Sequence, residues 1–359
     1  MPLGLGLGIT KLKSLVSGLR VRFQGNATIT AALDGILREL SADFVSNGTV
    51  TAALEAIKLL DVDFSADGTL TADLASFEGL LDLYPNAVAA YSVRLLKIDY
   101  TGALVRIRKD TAGQPEKDFY PDSNNELSLD SSDGGTTLGS WIGSNDGYVV
   151  TWYSQTGSND ATQSSASAQP KIISGGALIT DNGKAAIEFD GVNDVFPIDL
   201  GTPFTTEFSG FTVSNRSDSL TDDRSLYTLN KSGTANDYWF RIQNVPSFNQ
   251  TQVRNKTTGG TNTNNESFSN WNNQMLITHI ANTDSNYLKS SIDDGSITTL
   301  TTSGSFQEIA SGNSYIGSYR KGDSQFHLGT IQEIVFFNVD YIDSQSDILQ
   351  NINDFYSIY

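Results

Sequence analysis

Residues Ile331–Asn338 read Ile-Gln-Glu-Ile-Val-Phe-Phe-Asn, a run of β-branched and aromatic residues that is typical of a buried β-strand. About a dozen such runs occur between Ala89 and Asn338, and polar, turn-forming residues separate them. They do not alternate with helical segments, so the pattern favours antiparallel sheets packed face to face. The sequence therefore predicts an all-β, two-sheet antiparallel sandwich.

One helix is predicted at the C-terminal end of these strands, over Ser344–Tyr356. Ser344 is a candidate N-cap, and apolar residues recur at the helical spacing of three to four, namely Ile348, Leu349, Ile352, Phe355 and Tyr356.

Composition limits the classes of function. The 359 residues carry a net charge of −18, which disfavours nucleic acid and anionic membranes as partners. The chain has no cysteine, which excludes disulfides and thiolate catalysis, and only two histidines, His279 and His327, which we expect to be ordinary strand residues. Aromatic residues make up 10% of the chain and indicate a packed core.

Three copies of a repeat occupy residues 21–80. Phe23, Phe44 and Phe64 mark the period, and a turn residue followed by alternating threonine and aliphatic residues follows each phenylalanine. Asn-Gly and Asp-Gly at these turns predict β-hairpins, which must stack on each other or on neighbouring chains to bury their apolar faces. We therefore expect a small β-hairpin repeat region for stalk formation or oligomerisation.

The remaining boundaries follow from composition. Residues 1–20 are expected to be an attachment segment. Met1–Ile9 lacks the basic region and the length of a signal peptide or membrane span, so neither is expected there. Pro85 marks the predicted start of the sandwich domain, 86–359. Thr257–Asn273 is expected to be a polar loop.

Two segments of the predicted sandwich resemble concanavalin A-like (laminin G-like) jelly-roll domains. The first is Ala185–Phe196, with its Phe-Asp-Gly-Val-Asn-Asp core, and the second comprises Asn313–Tyr319 and Phe326–Asn338. The resemblance implies that Gly317 and Gly329 let strands pass closely. It also implies that Ile331, Ile334 and Phe336 fill the core.

Other segments resemble the catalytic domain of fungal α-L-arabinofuranosidase B and related surface modules. They are Ala90–Gly102, Val105–Arg108 and Val150–Gln163, where Trp-Tyr-Ser-Gln-Thr-Gly has Ser154 in place of the usual Asp. The family's enzymes use a carboxylate pair and an adjacent-cysteine disulfide. This chain has no cysteine, and Ser214–Ser232, where the nucleophile is expected, contains Asp218, Asp222 and Asp223 but no Glu. We therefore expect the fold without the hydrolase, and no catalytic residues.

The repeats resemble those of phage tail-fibre and other virion proteins. This resemblance implies a bacteriophage virion surface protein, a fibre, spike or decoration subunit that is located on the particle. Its N-terminal region would bind other virion proteins, three copies would associate, and the sandwich would bind host glycan. A secreted arabinofuranosidase-like hydrolase and a purely structural virion protein are the alternatives.

Candidate binding residues are few. Trp271 and Trp141 are the tryptophans expected to be exposed and to offer a platform for a sugar, whereas Trp152 and Trp239 lie in strand patterns. Asp190, Asn193 and Asp194 are candidate loop ligands for calcium, the one cofactor considered. Asp293-Asp294-Gly295 is a second candidate but favours a hairpin turn.

Overall fold

The structure is a computed structural model. It describes residues 7–10, 19–23, 27–44, 48–64, 69–74, 78–200, 204–216, 223–230, 238–245, 250–267, 273–306, 314–319 and 324–359. The chain divides into two compact units, Met1–Glu78 and Gly79–Tyr359.

The first unit is a parallel ladder of repeats. Its strands are β1 (Leu7–Thr10), β2 (Leu19–Phe23), β3 (Ala27–Phe44), β4 (Gly48–Phe64) and β5 (Thr69–Leu74).

The pairing corrects the hairpin prediction, because β3, β4 and β5 run in the same direction. Ile29 is opposite Val50, which in turn is opposite Leu70, and Phe44 is opposite Phe64. Equivalent residues of successive copies thus lie side by side. A repeat of about 20 residues allows this arrangement when each copy adds one strand to the sheet. The candidate turn residues Asn26, Asn47 and Asp67 lie outside the described residues.

The second unit is almost entirely antiparallel. Its strands are β6 (Ala87–Ser92), β7 (Val105–Lys109), β8 (Glu116–Phe119), β9 (Gly147–Trp152), β10 (Ala161–Thr162), β11 (Lys171–Ser174), β12 (Ala177–Leu178), β13 (Thr180–Asp181), β14 (Lys184–Ala185), β15 (Ile187–Asp190), β16 (Phe196–Ile198), β17 (Glu207–Ser214), β18 (Arg224–Asn230), β19 (Tyr238–Val245), β20 (Gln250–Thr257), β21 (Gly260–Ser267), β22 (Met275–Asn282), β23 (Tyr287–Ile292), β24 (Thr298–Thr301), β25 (Ser314–Ile316) and β26 (Leu328–Phe337). Its helices are α1 (Leu80–Leu83), α2 (Leu138–Ile142) and α3 (Gln345–Tyr356).

Two sheets form the predicted sandwich. The larger has the order β24-β23-β22-β17-β26-β15-β11-β9-β7-β8, with β6 on β26, β10 on β9 and β12 on β11. The smaller has the order β16-β25-β18-β19-β20-β21, and β13 and β14 form a separate pair. Sheet order is set by long-range pairing, so that β26, at the end of the chain, lies between β17 and β15.

The core lies between the sheets. Phe208 on β17 stacks on Phe240 of β19 with ring centroids 3.9 Å apart, and Phe336 on β26 meets Tyr227 of β18 edge to face at 4.9 Å. Trp152 is fully buried, as its strand pattern predicts.

Gly317 and Gly329 have the roles that the resemblance implies. Both have positive φ, at 86° and 142°. A Cβ on Gly317 would lie 2.4 Å from Phe189, and one on Gly329 would lie 2.3 Å from the Asn215 carbonyl oxygen. The expected core residues Ile331, Ile334 and Phe336 are fully buried.

Helix α3 covers the other face of the larger sheet, as the helical pattern predicts. Gln345 donates hydrogen bonds to Thr278 and Ser291 on β22 and β23, and the Tyr356 hydroxyl donates to Glu333 on β26. Ser344 is the N-cap residue, although its side chain makes no capping hydrogen bond.

Two boundaries differ from expectation. The second unit begins at Gly79, ahead of Pro85, because Leu80 and Leu81 are buried in its core. The polar stretch after Thr257 contains β21, which pairs with β20. Its Asn264 side chain donates to the carbonyls of Leu288 and Thr298, so buried polar groups, rather than apolar ones, hold this strand.

In the part of the chain that the structure describes, none of the helices is long and apolar enough to cross a membrane.

Candidate functional site

A row of polar side chains crosses four neighbouring strands of the larger sheet. Arg108 on β7 is opposite Tyr148 on β9, Tyr148 is opposite Lys171 on β11, and Lys171 is opposite Glu188 on β15. Directly opposite residues place their side chains on the same face of a sheet. On β15, Ile187 and Phe189 are buried while Glu188 is exposed, so the row lies on the face opposite the sandwich core.

A cleft of about 540 Å³ opens over this row. This volume lies within the range of small-molecule sites in proteins. Its chemically active lining comprises Arg108, Asp110, Tyr148, Gln169, Lys171, Glu188, Asp190 and Asp194.

Arg108 forms one wall and is almost completely buried. Its Nε donates to Gln169 Oε1 at 2.6 Å, and its Nη2 donates to the Ala166 carbonyl at 3.3 Å. Asp110 lies 3.5 Å from Nη1, and the guanidinium lies over the Tyr148 ring, 4.7 Å from its centroid. The charge of Arg108 is thus balanced within the protein and its position is fixed.

Lys171 flanks the same ring from the other side. Its Nζ lies 5.3 Å from the Tyr148 centroid and donates to Asp146 Oδ2 at 2.8 Å. The Asp146 partner raises the pKa of Lys171. Tyr148 is therefore held between two cations on the floor of the cleft.

A tight turn forms the opposite wall, between β15 and β16. Asp190 Oδ1 accepts hydrogen bonds from the backbone N–H groups of Val192, Asn193 and Asp194. Gly191 adopts a φ of 74°. The Asp-Gly and Asn-Asp pairs thus form the turn that the sequence predicts.

Asp194 is the buried carboxyl of the cleft, only 6% exposed. Its Oδ2 accepts the N–H of Asp190 at 2.9 Å. Burial, followed by repulsion from the charges of Asp190 and Glu188, raises the pKa of Asp194 to about 7. Near neutral pH, Asp194 therefore exists in both its protonated and its ionised form.

Glu188 differs from Asp194 in its exposure to solvent. It is exposed at the cleft, and among the described residues it makes no hydrogen bond or ion pair with a side chain. The cleft therefore holds a carboxyl that is partly protonated near neutral pH beside an exposed carboxyl group that is free to act on a ligand.

Of the three candidate calcium ligands, Asp190 and Asp194 line the cleft and Asn193 lies in the turn beside it. One oxygen of each aspartate is engaged by the turn's own N–H groups. Among the described residues, no group of three or more acidic or histidine side chains is arranged to hold a metal. Calcium binding stays a prediction, as does binding by Asp293 and Asp294, which form the expected β23–β24 turn.

Of the two candidate sugar-binding tryptophans, the structure describes Trp141 alone. Trp141 is half-buried in α2, its ring 5.4 Å from that of Phe119, and it does not line the cleft. Trp271 lies outside the described residues. The aromatic ring at the cleft is Tyr148, whose functional position the strand pattern did not reveal.

The Trp-Tyr-Ser-Gln-Thr-Gly motif has a structural role. Ser154 is buried and its Oγ accepts the N–H of Ala90, while Gln155 accepts the N–H of Leu96 and donates to the Arg94 carbonyl. These bonds join Ala90–Gly102 to Val150–Gln163, two of the segments that resemble the arabinofuranosidase domain. Because Ser154 does not line the cleft, its replacement of the usual Asp does not bear on the carboxylates there.

His279, His327 and Asp223 do not line the cleft. His279 and His327 are fully buried, and burial lowers the pKa of His279 to about 3 and that of His327 to about 4. Asp223 is half-buried, and Asp218 and Asp222 lie outside the described residues.

Solved structures share this fold. A GH54 α-L-arabinofuranosidase soaked with a cyclic sulfate inhibitor aligns at a TM-score of 0.55 and 15% identity, over 76% of this chain and 64% of its own. An arabinofuranosidase complexed with arabinofuranosyl-α-1,2-xylobiose aligns at 0.53 and 14%, with the same coverage. A Trypanosoma rangeli sialidase aligns at only 0.41 and 11%, over 58% of this chain and 31% of its own. No protein-family model matches the chain, and no curated protein matches it.

The chain thus has a sandwich similar to that of glycoside hydrolases and spans about 64% of the arabinofuranosidase chains. The prediction that it is not an enzyme is wrong on this comparison. That prediction depended on Ser154, on the missing cysteines and on the missing Glu in Ser214–Ser232. None of these features concerns the carboxyl groups of Glu188, Asp190 and Asp194, which meet in the cleft.

Proposed function

We propose that the chain is a glycan-processing protein that hydrolyses a glycosidic bond in this cleft. The observation that carries the proposal is the pairing of a buried carboxyl, Asp194, with an exposed carboxylate, Glu188, in one cleft. Glycoside hydrolysis needs two carboxyl groups in different protonation states. The fold shared with arabinofuranosidases supports the same class of reaction.

Each residue then has a defined task. Asp194 in its protonated form donates the proton to the glycosidic oxygen as the bond to the anomeric carbon breaks, and water supplies the replacing hydroxyl. Glu188 is the second carboxylate and stabilises the positive charge that develops on the sugar ring. Tyr148 lies on the floor of the cleft between Arg108 and Lys171, where its phenolic hydroxyl and ring edge can contact a bound sugar.

The test is hydrolysis of a panel of reporter glycosides, including an α-L-arabinofuranoside, by the full chain and three variants. Asp194→Asn and Glu188→Gln are each expected to lower kcat by at least about a hundredfold. Asp284→Asn is the control, because Asp284 is also an exposed acidic residue but lies in the β22–β23 turn, at the other end of the larger sheet from β11 and β9, and does not line the cleft. Unchanged kcat in both cleft variants, or equal loss in the control, contradicts the proposal.

The particle assignment is a separate proposal that the first unit supports. Parallel, in-register repeats add strands along one direction, which suits an elongated attachment segment. In this proposal the protein lies on the surface of a bacteriophage virion as a fibre, spike or decoration subunit. The first unit binds other virion proteins and the sandwich acts on host glycan. Immunogold labelling of purified virus particles with an antibody against the chain tests this proposal. Particles without label contradict it.

A further inference from the structure

The charges of the cleft are unequal, and the excess is negative. Two cations, Arg108 and Lys171, line it together with four carboxyl groups, those of Asp110, Glu188, Asp190 and Asp194. The charge of Asp194 depends on pH, because its pKa is about 7.

Both cations are already paired with carboxylates of the protein. Arg108 is only 5% exposed and its guanidinium is bonded to Gln169 and Ala166 and paired with Asp110. Lys171 is paired with Asp146, which lies beside the cleft and adds a further negative charge. An acidic sugar would therefore meet carboxylates without a free cation to compensate them.

The negative side of the cleft is available. Glu188 is exposed on the cleft face and has no side-chain hydrogen bond or ion pair among the described residues. Asp194 is nine-tenths buried, lines the same cleft, and engages its Oδ2 with the Asp190 N–H. No hydrogen bond to its other oxygen occurs within the described residues, so this oxygen is available to a donor on a ligand. A protonated amine is the donor that this arrangement favours most, because it brings the compensating charge as well.

We infer that the cleft selects glycans with a free, protonated amino group, such as glucosamine oligosaccharides, over N-acetylated or acidic glycans of the same length. This inference rests on the proposed function, because it assigns a substrate class to the same cleft. The negative field that stabilises a positively charged transition state also stabilises a cation in the bound ligand.

The test is isothermal titration calorimetry of the full chain at pH 7 with three tetrasaccharides. One is built of glucosamine, one of N-acetylglucosamine and one of a uronic acid. We expect the glucosamine tetrasaccharide to bind about tenfold more tightly than its N-acetylated counterpart, and the uronic acid tetrasaccharide to bind most weakly. This preference should shrink at 0.5 M salt, where surface charges are screened. It should also shrink in Glu188→Gln and persist in Asp284→Asn, which removes an exposed charge from the distant β22–β23 turn.

Equal affinities, or tighter binding of the uronic acid, overturn the inference. Hydrolysis is measured separately on the same tetrasaccharides. Selective binding of glucosamine without cleavage keeps the inference and contradicts the hydrolase. Cleavage of a neutral glycan without amine preference keeps the hydrolase and contradicts the inference.

Discussion

Among single residues, Asp194 links the stability of the fold to the chemistry of the cleft. The turn needs its Oδ2 to accept the Asp190 N–H, and that position removes the carboxyl from water. The protein thus retains a carboxyl group whose ionisation costs free energy in the folded state. Such a cost is common at functional sites.

This cost predicts the dependence of stability on pH. The folded-state pKa of Asp194, about 7, lies above the unfolded value, so its contribution to stability is complete below about pH 4 and is lost as pH rises through 7. Asp194→Asn keeps the acceptor oxygen without the charge. Denaturant titrations from pH 4 to 8 should show the wild-type protein losing stability relative to this variant. A difference that does not change with pH contradicts the prediction.

Some of the cleft residues can be predicted from the sequence and others cannot. Asp190 and Asp194 were identifiable because Asp-Gly and Asn-Asp mark a turn. Tyr148 and Lys171 were not, because they lie in short strands whose partners are distant in sequence. The two side chains come together only when β9 and β11 pair. The register between two such short strands cannot be predicted from the local sequence pattern of either strand.

Among the elements, a buried ion pair fixes β26 to α3 and to the segment after β6. Arg94 donates from Nε and Nη2 to both oxygens of Glu333, at 2.8 and 3.0 Å, and also to the Asn351 side chain. Both charged residues are buried, so each depends on the other for compensation.

Removal of one partner should therefore destabilise the sandwich strongly. Arg94→Met leaves the Glu333 carboxylate buried and unpaired, and we expect a loss of about 3–5 kcal/mol in the free energy of unfolding. The double variant Arg94→Met/Glu333→Met should recover much of this loss. Arg106→Met is the control, because the Arg106–Asp118 pair is partly exposed and its loss should cost at most about 1 kcal/mol. Equal losses at the two sites contradict the prediction.

Local pattern predicted most strands of the sandwich and the final helix, because alternation of apolar residues follows directly from burial on one face. It missed β21, whose Asn264 and Glu266 are buried through hydrogen bonds rather than apolar contact. It also assigned hairpins to the repeats. Asn-Gly permits a tight turn, but the direction of the next strand depends on which residues pair, and here copies pair with copies.

For the whole molecule, the two compact units have different architectures, a parallel ladder and an antiparallel sandwich. We predict that the full chain forms trimers through the repeats, since a single sheet is stabilised when it packs an apolar face against another layer, and neighbouring chains can supply that layer. Native mass spectrometry should give three times the chain mass. A monomer at micromolar concentration contradicts this prediction.

The central claim is that the cleft over Tyr148 and Glu188 is where the protein binds glycan. The most direct measurement is a crystal structure of Asp194→Asn, which retains the turn, soaked with a glucosamine tetrasaccharide. The account predicts a saccharide in the cleft, in contact with Tyr148 and with an amino group beside Glu188. A saccharide bound elsewhere, with this cleft empty, would contradict it.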